Sequence, residues 1–434
     1  MRLFDTFTRS LVELPPPPGP IRMYFCGPTV YQRIHIGNAR PFVLSMWLKR
    51  WLEATGYDVR LAENITDIND KIYNAARPQG IPSGELAASA SDWYVEDTTA
   101  LGLGRPDVEP KATESLPPII DLIERLVERG LAYPAEGDVY FRVSAYPEYG
   151  RLSGRDRDDE SLHNPSEEPE RTELKEDPRD FALWKAHKAD EDTWWDSPWG
   201  RGRPGWHIEC SAMAEQHLGP VFEIHGGGND LIFPHHENEI AQSRGAGDEF
   251  AHVWMHNGML QLTGEKMSKS LGNIVSLRDA IEEWGRETLL VYFLGGQWRK
   301  PIDFSDEALE QARAQTDGFR NAFLTPSDGT SAPGWGRFAE ALDDDFNTPA
   351  ALAIMHEWRS DGQLDLLRRA LALFGLESLA ESAPAPDEVE ELARRRAEAR
   401  DGGDFAEADR LRAEIEARGW EVRDVAGGFQ LVPR

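Results

Sequence analysis

The chain has 434 residues, of which 40% are apolar, and a formal net charge of −29 from 47 Lys+Arg against 76 Asp+Glu. That length exceeds one ordinary core and predicts about three domains at roughly 150 residues each. No apolar run of about 18 residues is available to span a bilayer, no charged-then-apolar leader is recognisable, and the acidic balance excludes indiscriminate binding to polyanions.

Residues 15–20 are four prolines, a glycine and a proline, which read as an irregular separator after a short N-terminal segment. Residues 21–26 then read as a strand ending at Cys26. Leu44, Trp47, Leu48, Trp51 and Leu52 follow at helical spacing up to Gly56, and Tyr57, Val59 and Leu61 alternate like a second strand. Strand, helix and strand in that order open a parallel sheet. Residues 155–180 are crowded with charge and proline and predict a solvated loop within an insertion. Strand-like patterns resume near residues 221–224 and 253–255, beyond residue 301 the pattern turns helical, and Ala383-Pro384-Ala385-Pro386 reads as a linker. The expected fold class is α/β, a Rossmann-type doubly wound parallel sheet in two halves (1–111 and 201–300) around an insertion (112–200). A helical segment (301–380) and a small C-terminal unit (388–434) complete it.

The two cysteines are far apart and each lies among polar residue types, which argues against a disulfide scaffold and for metal binding or chemistry in a reducing, cytoplasmic compartment. Cys26 and Cys210 supply two sulfurs. His235 and Glu239, four apart, share one face if residues 235–239 are helical, while His236 and Glu237 would point elsewhere. Two sulfurs, one nitrogen and one oxygen suit Zn²⁺. Taken singly, each has a plainer reading: a small buried thiol, or an exposed pair at a helix start. Two further segments suit phosphate. His35-Ile36-Gly37-Asn38 follows a strand and opens a helix, so backbone N–H groups and the positive helix end face a bound anion, although four residues alone fit an ordinary capping turn as well. Lys266-Met267-Ser268-Lys269-Ser270, bracketed by Gly264 and Gly272, forms a mobile cationic loop able to close on a polyphosphate.

In this order the two segments resemble the paired signatures of class I aminoacyl-tRNA synthetases, with Asn38 where a second histidine is usual. Further stretches resemble the cysteinyl-tRNA synthetase family from about residue 3 to the C-terminus. They are Phe25-Cys26-Gly27-Pro28-Thr29-Val30-Tyr31, Asn64-Ile65-Thr66-Asp67-Ile68-Asn69-Asp70-Lys71, Gly205-Trp206-His207-Ile208-Glu209-Cys210-Ser211-Ala212-Met213, the run from His225 through Asp230 to Glu239, and Asp344-Asp345-Phe346-Asn347-Thr348-Pro349. The resemblance implies ATP-dependent activation of L-cysteine and its transfer to the terminal ribose of tRNA(Cys). It implies Zn²⁺ on Cys26, Cys210, His235 and Glu239, and Mg²⁺ with ATP. It also implies phosphate contacts from His35, Asn38, Lys266 and Lys269, and an amino-acid pocket lined by Thr66, Trp206, His225 and Asp230. Residues 301–380 become an anticodon-arm bundle and the enzyme a monomer. An amino-sugar ligase that keeps the zinc pocket is the nearest alternative, and it typically lacks the small C-terminal unit. A synthetase-derived RNA-binding protein without activity is another, against which the intact Lys266-Met267-Ser268-Lys269-Ser270 argues.

Overall fold

A computed structural model describes residues 1–156, 170–262, 265–266, 275–324, 334–381, 385–425 and 428–433. The chain divides into two compact units, Met1–Glu377 and Ser378–Arg434.

In the first unit an antiparallel hairpin, β1 (Arg2–Asp5) with β2 (Ser10–Glu13), precedes the core sheet. The proline run stays irregular through Gly19. Pro20 itself opens β3 (Pro20–Phe25), a position that tolerates a residue without an N–H. Helix α1 (Ile36–Ala54) connects β3 to β4 (Asp58–Glu63), which pairs parallel with β3 in the register Ile21 to Val59 and Phe25 to Glu63. The expected apolar positions of α1 are all buried, and so are Arg40 and Lys49. Such a helix is enclosed on most sides rather than along one stripe. Helices α2 (Asp70–Ala76), α3 (Ser83–Thr99) and α4 (Leu116–Glu128) follow.

Next comes a four-stranded antiparallel sheet, β5 (Ala132–Ala135), β6 (Asp138–Phe141), β7 (Phe181–Ala186) and β8 (Gly202–Pro204). Helix α4 buries Ile119, Leu122, Ile123 and Leu126 in the same core as Val139, Phe141, Phe181 and Leu183 of that sheet. The solvated loop expected at 155–180 lies partly outside the described residues. Its described residues are exposed or half-buried except Asp180, which is fully buried, accepting hydrogen bonds from the Tyr133 hydroxyl (2.7 Å) and the Val143 amide (2.9 Å). Such bonds satisfy a carboxylate that the interior would otherwise penalise, and charge density alone does not reveal them.

Helix α5 (Trp206–Leu218) leads into β9 (Val221–Gly228), α6 (Glu237–Ala246) and β10 (Phe250–Asn257). The core sheet is thus all parallel, in the order β10-β9-β3-β4. A smaller sheet joins β11 (Leu260–Leu262), β12 (Glu265–Lys266) and, after α7 (Leu277–Trp284) and α8 (Arg286–Gly295), β13 (Ile302–Asp303). Helices α9 (Asp306–Ala322), α10 (Trp335–Asp343), α11 (Thr348–Ser360) and α12 (Leu364–Leu373) make the helical end of this unit.

The second unit packs helices α13 (Asp387–Asp401) and α14 (Phe405–Ala417) against the hairpin β14 (Trp420–Val425) and β15 (Gly428–Pro433), around Val389, Leu392, Leu411, Ile415 and Val422. Its arginines are paired: Arg394 with Glu391, Arg395 with Glu407, and both Arg396 and Arg400 with Asp424. Among the described residues no helix is long and apolar enough to cross a membrane.

Candidate active site

The carboxyl ends of β3, β4 and β9 open into a cavity of about 570 Å³, the usual place for a ligand in a parallel α/β sheet. One end holds the start of α1. His35 is the N-cap: its Nδ1 accepts from the Gly37 amide (3.1 Å), while the Asn38 Oδ1 accepts from the His35 amide (3.3 Å). The cap fixes both side chains at the positive helix end bordering the cavity. Pro41, in the second turn, has no N–H to give the Gly37 carbonyl.

The Lys266 backbone lies in β12, paired with Gln261 of β11. Lys269, with residues 267–274, lies outside the described residues. The chain beyond is fastened to the start of α1: the Ile36 amide donates to Val275, the Leu277 amide donates to Ile34, and His35 bridges Ser276.

The other end of the cavity holds the metal candidates. One ligand atom from each of Cys26, Cys210, His235 and Glu239 can be chosen so that all lie within 4.8 Å of one another. Cys26 ends the run out of β3, Cys210 sits on α5, and the turn before α6 carries His235. Its Nε2 lies 3.1 Å from Glu239 Oε1, and its Nδ1 shares a hydrogen bond of 2.9 Å with His207 Nδ1. Cys26 Sγ lies 3.5 Å from Glu239 Oε1, and Cys210 Sγ lies 3.6 Å from Asn64 Oδ1. Burial pushes the Cys26 and Cys210 thiols and the Glu239 carboxyl up, and pushes the His235 imidazole well down. Each donor thus favours its neutral form until a cation sits among them. A close set of two sulfurs, one imidazole nitrogen and one carboxylate oxygen, with His207 available to orient His235, fits a tetrahedral zinc ion.

His236 departs from expectation. Residues Ile232–His236 form a π-type turn, with Phe233 in an extended conformation (φ −140°, ψ 133°), before α6 begins at Glu237. The wider turn swings His236 inward, so that its Nε2 lies 3.3 Å from Cys26 Sγ and its Nδ1 shares a 2.7 Å hydrogen bond with His256 Nε2. Cys26, His225, His236 and Glu239 consequently form a second close group of potential ligands. Glu237 does point away, to the amides of Gly150 and Ser153.

Of the proposed pocket residues, Trp206 and Asp230 border the cavity. The Trp206 ring lies 4.2 Å from that of His235 and under Lys71 Nζ at 5.7 Å. Thr66 and His225 are buried behind the wall: Thr66 Oγ1 accepts from Asn64 Nδ2 (3.1 Å), and His225 Nε2 shares a 2.8 Å hydrogen bond with Glu239 Oε2. Burial lowers the His225 pKa to about 3. Lys71 and Glu63 are among the cavity-lining residues that carried no expected role. One Glu63 oxygen accepts from the Tyr94 hydroxyl, the other is buried without a partner among the described residues, and burial pushes its carboxyl up to about 7. Glu63 falls in phase with Val59 and Leu61 on the inward face of β4, so the alternation points it inward, and only its acidic side chain reads as solvated. Lys71 closes the Asn64-to-Lys71 stretch, whose resemblance offered the only signal for it.

Three comparisons bear on this site. A family model described as the tRNA synthetases class I (C) catalytic domain matches residues 15–314, a DALR domain model matches 337–361, and a cysteinyl-tRNA ligase anticodon binding domain model matches 383–431. The curated cysteine–tRNA ligase of Laribacter hongkongensis is 43% identical across 99% of this chain and 98% of its own length, and that of Cupriavidus taiwanensis is 42% identical across the same shares. Among solved structures, methionyl-tRNA synthetase of Mycobacterium tuberculosis in complex with methionyl-adenylate covers 83% of this chain and 88% of its own, with a TM-score of 0.60 at 18% identity. That last likeness shows a shared fold alone. With a catalytic-domain match over residues 15–314 and relatives alike along almost the whole length, the chain belongs to the cysteinyl-tRNA synthetase family of class I aminoacyl-tRNA synthetases.

Proposed function

We propose that the chain activates L-cysteine with ATP and transfers it to the terminal ribose of tRNA(Cys). The observation that carries the reading is a close donor set, the half-buried Cys26 with the buried Cys210, His235 and Glu239, in a cavity whose opposite end is the capped start of α1. Zinc held by those four residues would supply a soft ligand position that prefers a thiolate to a hydroxyl, a discrimination shape alone makes poorly between cysteine and serine.

The chain's own residues position the reactants. Trp206 closes one side of the amino-acid end, and Asp230 accepts from the substrate ammonium group. Thr66 and His225 act from behind the wall, His225 by holding the Glu239 carboxylate. His35 and Asn38 donate to ATP phosphate oxygens at the helix N-terminus, and Lys266 and Lys269 donate to the same oxygens. A cysteine carboxylate oxygen attacks the α-phosphorus in line, the bond to the bridging oxygen breaks, and pyrophosphate leaves; Mg²⁺ accompanying ATP would neutralise phosphate charge. The terminal ribose hydroxyl of the tRNA, the 2′-OH by the habit of class I, then attacks the adenylate carbonyl carbon and AMP leaves. No protein nucleophile takes part, so orientation and charge stabilisation carry the rate.

The match of residues 383–431 to an anticodon-binding model supports tRNA rather than an amino sugar as acceptor. Cysteine-dependent exchange of labelled pyrophosphate into ATP tests the first step. Exchange with cysteine and none with serine is expected; exchange with serine alone overturns the reading.

A further inference from the structure

Arg40 and the stretch Asp344-Asp345-Phe346-Asn347-Thr348-Pro349 have no part in the chemistry above, yet the turn that follows α8 is bonded to both. Arg40 stands on α1 two residues past Asn38 and is 4% exposed. Its guanidinium donates to the carbonyls of Gly258, Lys300 (2.9 Å) and Gln297 (3.1 Å). Among the described residues no carboxylate pairs with it, and burial lowers its pKa only to about 10, so it stays charged at neutral pH.

The carbonyls come from two separate segments. Gly258 lies between Asn257 and Met259, both of which border the cavity. Gln297 and Lys300 belong to the turn after α8. The segments are also bonded directly, the Gly258 amide to the Trp298 carbonyl at 2.8 Å. They approach so closely that a Cβ on Gly258 would sit 2.2 Å from the Lys300 carbonyl carbon. The turn in its own right grips the third segment: Trp298 Nε1 donates to the Asp345 carbonyl (2.7 Å), and Arg299 pairs with the Asp345 carboxylate (2.7 Å). Asp345 and Phe346 have φ of 60° and 46°, a left-handed conformation that costs a non-glycine residue about 1 kcal/mol or more and persists where surrounding contacts hold it.

We propose that Arg40 is a positioning residue for the nucleotide end of the cavity, locking the wall at Asn257 and Met259 to the start of α1, and that Trp298 and Asp345 fasten that lock to the helical segment. A planar fork with several N–H groups can hold carbonyls of both segments at once; a lysine ammonium has no such reach. Its buried charge also adds to the positive potential that the helix end presents to phosphate.

This inference rests on the cavity binding ATP, and its test separates the two. Full-length Arg40→Lys and Trp298→Phe are compared with wild type in cysteine-dependent pyrophosphate exchange, varying ATP and cysteine separately, with metal content and thermal unfolding measured on the same samples. Arg40→Lys should raise the KM for ATP about tenfold or more, keep the KM for cysteine within about twofold, and retain wild-type metal content. Trp298→Phe should move the ATP KM the same way by about threefold. A folded Arg40→Lys with unchanged KM values, or with both raised in parallel, overturns the proposal. If Arg40→Lys fails to fold, an unchanged ATP KM in Trp298→Phe overturns it instead. Absence of cysteine-dependent exchange in the wild type would strike the proposed function rather than the role of Arg40.

Discussion

Cys210 is buried among donors from three other parts of the first unit, so a serine there preserves volume while removing a thiolate ligand. We predict that Cys210→Ser lowers bound zinc from about one equivalent to well below half by elemental analysis, because a four-ligand site loses much of its affinity with one soft donor. Glu63 gives a prediction of pH dependence. Its folded-state carboxyl holds a proton up to about pH 7, above an ordinary value of 4.5. Between those values the unfolded chain has released the proton and the folded chain has not, so this group's contribution to stability falls as pH rises through that window and stays low above it. Glu63→Gln should therefore gain stability relative to wild type on going from pH 5 to pH 8, by an amount on the order of 2–3 kcal/mol in denaturant unfolding. At this scale the sequence was informative about donors and silent about environment. The two cysteines, His235 and Glu239 stand out by chemical type, whereas the inward turn of His236 depends on a π-type turn that helical spacing does not anticipate.

The elements around the cavity depend on close backbone approach, which glycine permits. A Cβ on Gly27 would lie 1.8 Å from the Asn64 carbonyl oxygen, where the residues after β3 pass those after β4. Gly27→Ala should destabilise the protein by about 3 kcal/mol or more in thermal or denaturant unfolding and abolish pyrophosphate exchange, since one chain must shift at the cavity wall. Gly130→Ala is the comparison. Its φ is +72° but nothing lies within 4 Å of the added Cβ, so about 1 kcal/mol is expected with exchange retained. The strand-helix-strand opening of the core sheet was legible because α1 and its flanking strands carry uninterrupted periods of the right length. The antiparallel sheet of the insertion was not. Its strands are only three to six residues long, and β6 and β7 pair across the charged stretch, so their register is set by non-local contact.

Across the whole molecule, the charge of −29 leaves tRNA recognition to local surfaces rather than to net attraction. The unit Ser378–Arg434 has a core of its own, and the first unit contains the entire cavity. A chain ending at Glu377 should keep cysteine-dependent pyrophosphate exchange within about threefold while its kcat/KM for tRNA charging falls by about a hundredfold or more, the signature of a lost RNA contact surface. The proline-alanine run expected as a linker begins at Ala383, past the division between Glu377 and Ser378. The roles of individual arginines were not legible, because a sequence does not disclose that Arg396 and Arg400 share Asp424.

The most direct measurement is charging of an unfractionated tRNA pool by the purified full-length chain with ATP and labelled amino acid. Stable label on tRNA(Cys) with cysteine, and background label with serine at equal concentration, is the predicted result. Label from serine, or cysteine activation that never yields charged tRNA, would contradict the account.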